Sequence, residues 1–242
     1  MAYWSHRQLH NNAWDYFLNT IDADFYLVQE SVKPIQLENE NNFIWHNAGD
    51  TAGRRDWGNG IYSKKYKLNQ EPVESIQSWN KQTFDEMCVV ANSRINTDVA
   101  LTIINIYGRM DKVGSEKYSI ANLHRVLSDL TGIFNGHYGK RNIILGGDFN
   151  ASTQFDIKQN NNSHKIYFDR LEDFGLKNSF DLNGNTEYVQ THRHNISKLN
   201  WQNDYLFFSK QTAKGFVDCE VIDNEEVRRL SDHNPVIVTL DI

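Results

Sequence analysis

The tetrapeptide Gly147-Asp148-Phe149-Asn150 follows the apolar run Ile143-Ile144-Leu145. A buried strand ending there delivers an Asp and an Asn, two residues apart, to the same side, so a carboxylate and an amide meet at one spot. Three other segments have a similar build. Leu27-Val28-Gln29-Glu30 is an apolar strand that ends in a carboxylate. Asn203-Asp204-Tyr205-Leu206-Phe207 opens a strand with an acid, and Ser231-Asp232-His233-Asn234-Pro235 leads into the strand Val236 to Leu240. Acids and a histidine gathered at strand ends suit metal-assisted hydrolysis better than a simple binding surface.

Those strand ends need a scaffold. The periodicity predicts a helix from Ser5 to Ile21, with Ser5 and Gln8 as a capping box and Leu9, Ala13, Trp14, Phe17, Leu18 and Ile21 on one face. Further helices are expected over Tyr118 to Phe134 and over Lys165 to Phe174, the latter stopped by Gly175. Strands are expected at Phe25 to Gln29, Phe43 to Trp45, Gly60 to Tyr62, Asn142 to Gly146, Tyr205 to Phe208, Gly215 to Ile222 and Pro235 to Leu240. Glu86 to Arg94 and Asp98 to Tyr107 read as an antiparallel pair joined at Asn96-Thr97. Strands with helices spread among them suggest two packed sheets with helices outside.

Composition sets the limits. The chain has 242 residues and a net charge of −6, which argues against a broad basic face gripping nucleic acid without regard to sequence. Local phosphate chemistry is still open, because a bound divalent cation offsets local acidity. The two cysteines, Cys88 and Cys219, lie in apolar surroundings and read as buried thiols. There is no signal-peptide pattern and no run long and apolar enough to span a bilayer, so the cytoplasm is the expected compartment and no membrane partner is expected.

Taken in order, Gln29-Glu30, Gly147-Asp148-Phe149-Asn150, Asn203-Asp204-Tyr205-Leu206-Phe207 and Ser231-Asp232-His233-Asn234-Pro235 resemble the endonuclease/exonuclease/phosphatase superfamily. That superfamily includes abasic-site endonucleases, pancreatic-type deoxyribonucleases, sphingomyelinases and inositol-polyphosphate phosphatases. The resemblance covers nearly the whole chain, read as one domain over 1–242. It implies an α/β fold, a four-layer sandwich of two mixed, largely antiparallel sheets with outer helices, and a site at one end of the facing sheets. It also implies hydrolysis of a phosphoester with Mg²⁺ or Mn²⁺.

In those terms Glu30 is a metal ligand, as hard cations prefer carboxylate oxygens, and Asp232 sits beside the metal. Asp148 and Asn150 orient the attacking water, and His233 stabilises a phosphate oxygen. Asp204 pairs with His233, and Tyr107 approaches the reacting phosphate. Arg193 and His194 are candidate substrate contacts in a segment that reads equally as a solvated loop. Arg54, Arg55 and Trp57 read more simply as an exposed loop with one anchoring aromatic.

The chain departs from the resemblance at its start. Superfamily members begin with a buried strand that ends in Trp-Asn, and that Asn reaches the metal. Here Met1-Ala2-Tyr3-Trp4 runs almost at once into the first helix. The first strand is therefore expected to be missing, with Met1 an internal methionine of a longer frame or the chain truncated, and one sheet is expected to carry exposed pairing edges. The expected activity is that of a nuclease on DNA or RNA. The fold alone leaves open a phosphatase, a lipid or small-molecule phosphodiesterase, or a binding protein that lost competence with its first strand.

Overall fold

The structure, a computed structural model, describes residues 7–37, 40–48, 57–72, 81–113, 116–135, 141–195 and 197–242. The chain enters through α1 (Arg7–Asn19) into β1 (Phe25–Ser31), β2 (Phe43–Asn47) and β3 (Gly58–Ser63), which form a sheet in the order β1-β3-β2. Next come β4 (Leu68–Gln70), α2 (Lys81–Met87), β5 (Cys88–Arg94), β6 (Ala100–Tyr107) and the small hairpin of β7 (Asp111–Val113) and β8 (Glu116–Tyr118). Two helices, α3 (Ile120–Asp129) and α4 (Thr131–Asn135), precede β9 (Asn142–Asp148). After it come α5 (Thr153–Gln159), α6 (Ser163–Asp173), β10 (Leu176–Asn178), α7 (Ser179–Leu182) and β11 (Asp204–Ser209). The chain closes with β12 (Phe216–Val221), α8 (Glu225–Leu230) and β13 (Val236–Leu240).

Six strands make the principal sheet, in the order β10-β11-β9-β6-β5-β4, with β6 and β9 parallel and every other neighbour pair antiparallel. Its residues alternate between two apolar layers, as a pleated strand with both faces buried must. Ile104 and Ile106 of β6, Leu145 of β9 and Phe207 of β11 pack with Leu123 and Leu127 of α3 and Tyr167 and Leu171 of α6. Leu101 and Ile103 of β6, Ile144 of β9 and Phe208 of β11 face Ile61, Leu27 and Val238 of the opposite layer. On the far side of that layer, Tyr26 and Val28 of β1 pack with Trp14 of α1 and with Val227 and Leu230 of α8. The result is the expected four-layer sandwich: helices, sheet, sheet, helices.

One buried polar side chain ties the sheets together. Asn105 of β6 is fully buried, and its Nδ2 donates to Val28 O and Gly60 O, each at 2.9 Å. Its Oδ1 accepts from Gln29 Nε2. A buried amide with both ends satisfied fixes how the two sheets are set against each other.

The second sheet layer is open, being divided among the described residues into two separate sheets, β1-β3-β2 and β12-β13. Among the described residues β1 pairs only with β3, and β13 only with β12, so β1 and β13 each present an unpaired edge. A cavity of about 460 Å³ lies between them, lined by Phe17, Leu27, Leu206, Phe208, Ile237 and Val238 among others. The expectation of exposed pairing edges is met here.

The sequence expectations need four local corrections. The helix expected over Tyr118 to Phe134 starts later and is broken at Leu130, with Tyr118 placed in β8. Glu86 and Met87, expected to open a strand, instead close α2. The third helix begins two residues earlier than expected, at Ser163, because both carboxylate oxygens of Asp156 accept from the backbone nitrogens of His164 and Lys165 (3.0 and 2.7 Å) and cap that turn. The short helices α5, α7 and α8 escaped periodicity altogether, although Ser152, Asn178 and Asn224 are side-chain N-caps for them. The proposed capping box at Ser5 lies outside the described residues, as do Arg54 and Arg55. No helix among the described residues is long and apolar enough to cross a membrane.

Two outcomes are expected. Asn105→Leu, of similar volume, should lower stability by about 3 kcal/mol, read as a shifted urea midpoint with unchanged slope, because two carbonyls and the Gln29 amide lose their partner. In hydrogen exchange, β6 and β9 should be the slowest strands, and alternate amides of β1 and β13 should exchange orders of magnitude faster. Uniform protection across β13 would mean that its edge is not open.

Candidate active site

Strand register builds the site. Tyr107 lies beside Asp148 in the parallel β6–β9 pair, and Asp148 lies opposite Asp204 in the antiparallel β9–β11 pair. Laterally paired residues project from the same face, so three functional groups form one row at strand spacing. Gly147, just before Asp148, has φ +135°, and a Cβ there would lie 2.0 Å from Ile106 O. Only glycine lets β9 run this close to β6 as it reaches the site.

After β9 the chain turns sharply. Asn150 takes a left-handed φ of 46°, its backbone nitrogen donates to Asp148 Oδ1 at 2.8 Å, and its Nδ2 donates to Asp148 Oδ2 at 3.0 Å. The expected pairing of a carboxylate with an amide is thus direct. Glu30 is the second left-handed residue, φ 48°, where the β1–β3 register slips between Val28 and Ser31. That irregularity turns its side chain to Tyr107, whose hydroxyl donates to Glu30 Oε1. Strained backbone at two expected site residues is the pattern of a site whose geometry is held by its surroundings.

The loop carrying His233 is stapled into place. Thr191 Oγ1 accepts from the backbone nitrogens of Asn203 (2.9 Å) and Asp204 (3.0 Å), and Thr191 O accepts from Asn234 N at 2.7 Å. Asn234 Nδ2 donates to Gln190 O at 2.9 Å. His233 Nδ1 lies 2.8 Å from Asp204 Oδ2, as the sequence led us to expect.

The electrostatics follow from crowding buried charges. Burial raises the Asp148 carboxyl, and the neighbouring Asp204 and Glu30 raise it further against the opposing pull of His233, to about 7. Burial alone would lower His233, but Asp204 and Asp148 outweigh it and lift the imidazole to about 9. Burial and then Glu30 push the Tyr107 phenol far up, so it stays a proton donor. Burial, then the charge on His233, lowers His192 to about 4.

Not every expected residue joins this cluster. Arg193, a candidate substrate contact, has its guanidinium on Asn234 Oδ1 and Ser231 O and lies 3.5 Å from Asp223, so it braces the His233 loop. His194 sits in an exposed loop, where its Nδ1 accepts from Ser197 N at 3.1 Å. Trp57 is buried edge-on against Tyr107, centroids 5.3 Å apart, which agrees with the anchoring-aromatic reading. Sequence reasoning missed His192, whose ring stacks on His233 with centroids 4.6 Å apart. It stood in view in Thr191-His192-Arg193-His194, but no local pattern distinguishes it from its neighbours. It also passed over Thr191 and Asn105, whose roles depend on contacts distant in sequence.

The ligand chemistry fits a divalent cation. Asp148, Asp204 and His233 offer ligand atoms within 4.8 Å of one another, as do His192, Asp232 and His233. Glu30, an expected ligand, belongs to neither of these tight groups but adds its charge beside Asp148. Among the described residues Asp232 Oδ1 is buried with no hydrogen-bond partner, the condition in which a carboxylate favours a cation.

No family model matches the chain, and no curated protein matches it. Solved structures do. The 3'-5' exonuclease NExo from Neisseria meningitidis shares 17% identity over 97% of this chain and 96% of its own, with a TM-score of 0.70. An AP endonuclease from Archaeoglobus fulgidus shares 16% over 98% and 95%, TM-score 0.65. The endonuclease domain of TRAS1, a telomere-specific non-LTR retrotransposon, shares 17% over 97% and 91%, TM-score 0.63. The chain therefore has the endonuclease/exonuclease/phosphatase fold.

The His233–Asp204 pair predicts a titration. The His233 imidazole should titrate near pH 9 by NMR, and stability drawn from its charged form should be complete below about pH 6.5 and fade as pH rises through about 9. Asp204→Asn should bring the midpoint down to roughly 7 or below, since burial then dominates. An unmoved midpoint would remove Asp204 as the cause.

Proposed function

We propose that this chain is a divalent-metal-dependent phosphodiester hydrolase acting on nucleic acid. The observation that carries this is the row Tyr107–Asp148–Asp204, with His233 on Asp204 and Glu30 on Tyr107, at one end of a sandwich shared with DNA-processing neighbours. Those neighbours are by title an exonuclease, an AP endonuclease and a retrotransposon endonuclease, and NExo has also been solved as a 3' phosphatase with product DNA hairpin.

Asp148, raised to about 7, is poised to take a proton from an attacking water that Asn150 helps orient. His233 carries positive charge at neutral pH and holds it toward the phosphate oxygens, while Asp204 fixes the ring through Nδ1. Tyr107 keeps its proton and hydrogen-bonds Glu30, so that carboxylate is aimed rather than free to rotate. A divalent cation held by Glu30, with Asp232 beside it, would neutralise charge at phosphorus when bound. Mg²⁺ or Mn²⁺ suits the carboxylates. The modest net charge of −6 favours local phosphate recognition over an extended backbone grip.

Plasmid DNA, single-stranded RNA and a 3'-phosphorylated hairpin, each with Mg²⁺, Mn²⁺ or EDTA, test this reading. Cleavage should require the metal, and Asp148→Ala or His233→Ala should each reduce the rate by about 10²–10⁴; His233→Ala should also lower the urea midpoint at neutral pH, because it removes the charged partner of Asp204, without abolishing cooperative unfolding. Glu30→Gln should raise the metal concentration needed. Near-native rates in either alanine variant would remove that residue from the mechanism. Metal binding without turnover on any of the three would favour a binding protein.

A further inference from the structure

His192 has no part in the hydrolytic scheme, yet its position is closely fixed. Its backbone bridges Trp201 on one side and His233 on the other, and its nitrogen donates to Trp201 O at 2.9 Å. The ring stacks on His233 at an interplanar angle of 26°. Its Nε2 lies 4.0 Å from Asp232 Oδ2, too far for a hydrogen bond. Asp232 Oδ1 is buried and, among the described residues, has no hydrogen-bond partner. Two imidazoles and a carboxylate with one unpartnered oxygen thus lie together, one ligand atom from each within 4.8 Å of the others.

We propose that His192, Asp232 and His233 form a site for a nitrogen-accepting divalent ion such as Zn²⁺, adjoining the carboxylate-rich group around Asp148 and sharing His233 with it. Ligands on one tetrahedral ion at about 2.1 Å lie roughly 3.4 Å apart, so closing this triangle takes shifts of up to roughly 1.4 Å and a turn of the two stacked imidazoles toward a common point. Two imidazoles with one carboxylate, and the remaining position open, is a donor set that Zn²⁺ accepts and Mg²⁺ does not prefer. The outer partners are also in place. His233 Nδ1 is held by the Asp204 carboxylate at 2.8 Å, leaving Nε2 for the ion. His192 Nδ1 meets the side-chain amide of buried Asn203 at 3.2 Å, and an asparagine can serve either ring tautomer, by donating through Nδ2 or accepting through Oδ1. The ion replaces a proton on His233 Nε2, so positive charge stays at the point that faces the phosphate.

This site extends the hydrolase reading, since it shares Asp232 and His233, but it is tested without turnover. Zn²⁺ titration of the ¹⁵N-labelled chain, followed on imidazole nitrogens by NMR, should shift His192 and His233 together at stoichiometric metal, whereas Mg²⁺ should leave His192 unmoved. His192→Gln should weaken Zn²⁺ binding at least about tenfold in calorimetry and leave Mg²⁺ affinity unchanged. Asp232→Asn should abolish the paired shift. Zn²⁺ that perturbs only other histidines, or an unchanged affinity in His192→Gln, would overturn the site. Metal-dependent cleavage that survives such a result would leave the hydrolase reading standing, and its loss with Zn²⁺ binding intact would do the reverse.

Discussion

The register of three neighbouring strands is the constraint on which the rest depends. Because β6 and β9 end where β11 begins, Tyr107, Asp148 and Asp204 stand in one line across the sheet edge. A slip of one residue in β9 would turn Asp148 to the opposite face and bring Gly147 or Phe149 into its place. Nothing in the loops could compensate. The apolar alternation of Ile143, Ile144 and Leu145 forbids that slip, because it would exchange the layers packed against α3 and against β1. The core thus fixes the site's geometry before any polar group acts.

The polar contacts then set the charge. Asp204 and Asp148 act on a single strongly basic imidazole, His233, while Glu30 adds its charge beside Asp148 and Asp232 lies 4.0 Å from His192. His233 remains charged because Asp204 touches it, and Asp148 resists ionisation because burial and two acids act on it together. An anionic phosphate entering this pocket would be repelled by the carboxylates unless a cation came with it. The unpartnered oxygen of Asp232 expresses the same excess locally.

Much of this was legible in the sequence for a simple reason. A short apolar run flanked at one end by Asp, Asn or His reports both the strand and the group at its end, so Asp148, Asp204 and His233 announce themselves locally. Asn105 does not. It interrupts Leu101 to Ile106 as a polar residue in an apolar strand, and only the packed partner sheet supplies Val28 O and Gly60 O to explain it. Thr191 and His192 are silent for the same reason, since their partners Asp204 and His233 lie 13 and 41 residues away. Arg193 misleads in the opposite direction. A cation near a phosphate-type site invites a substrate role, yet its guanidinium faces inward to Ser231 and Asn234. The short helices α5, α7 and α8 run for too few turns to establish a period, so their caps were the only signal.

The open seam in the second sheet bears on the chemistry as well as on the fold. The cavity between β1 and β13 is apolar along its length, but its lining also includes Gln29, Gly147, Asp148, Asp204 and His233. The slot and the site are therefore one continuous space. Fields around Asp148 and His233 depend on the walls that exclude water, and interactions between charges weaken as the local dielectric rises. β1 runs toward the site and ends at Glu30 and Ser31, while β13 starts beside His233 and runs away from it. The two strands hold opposite sides of the reacting region, and β3 and β12 support them only from outside. Asn105 ties β1 and β3 to β6, and α1 and α8 pack together against β1 and Ile237 of β13, so the Glu30–Asp148–His233 geometry rests on contacts that cross between layers rather than on a continuous ladder of strands.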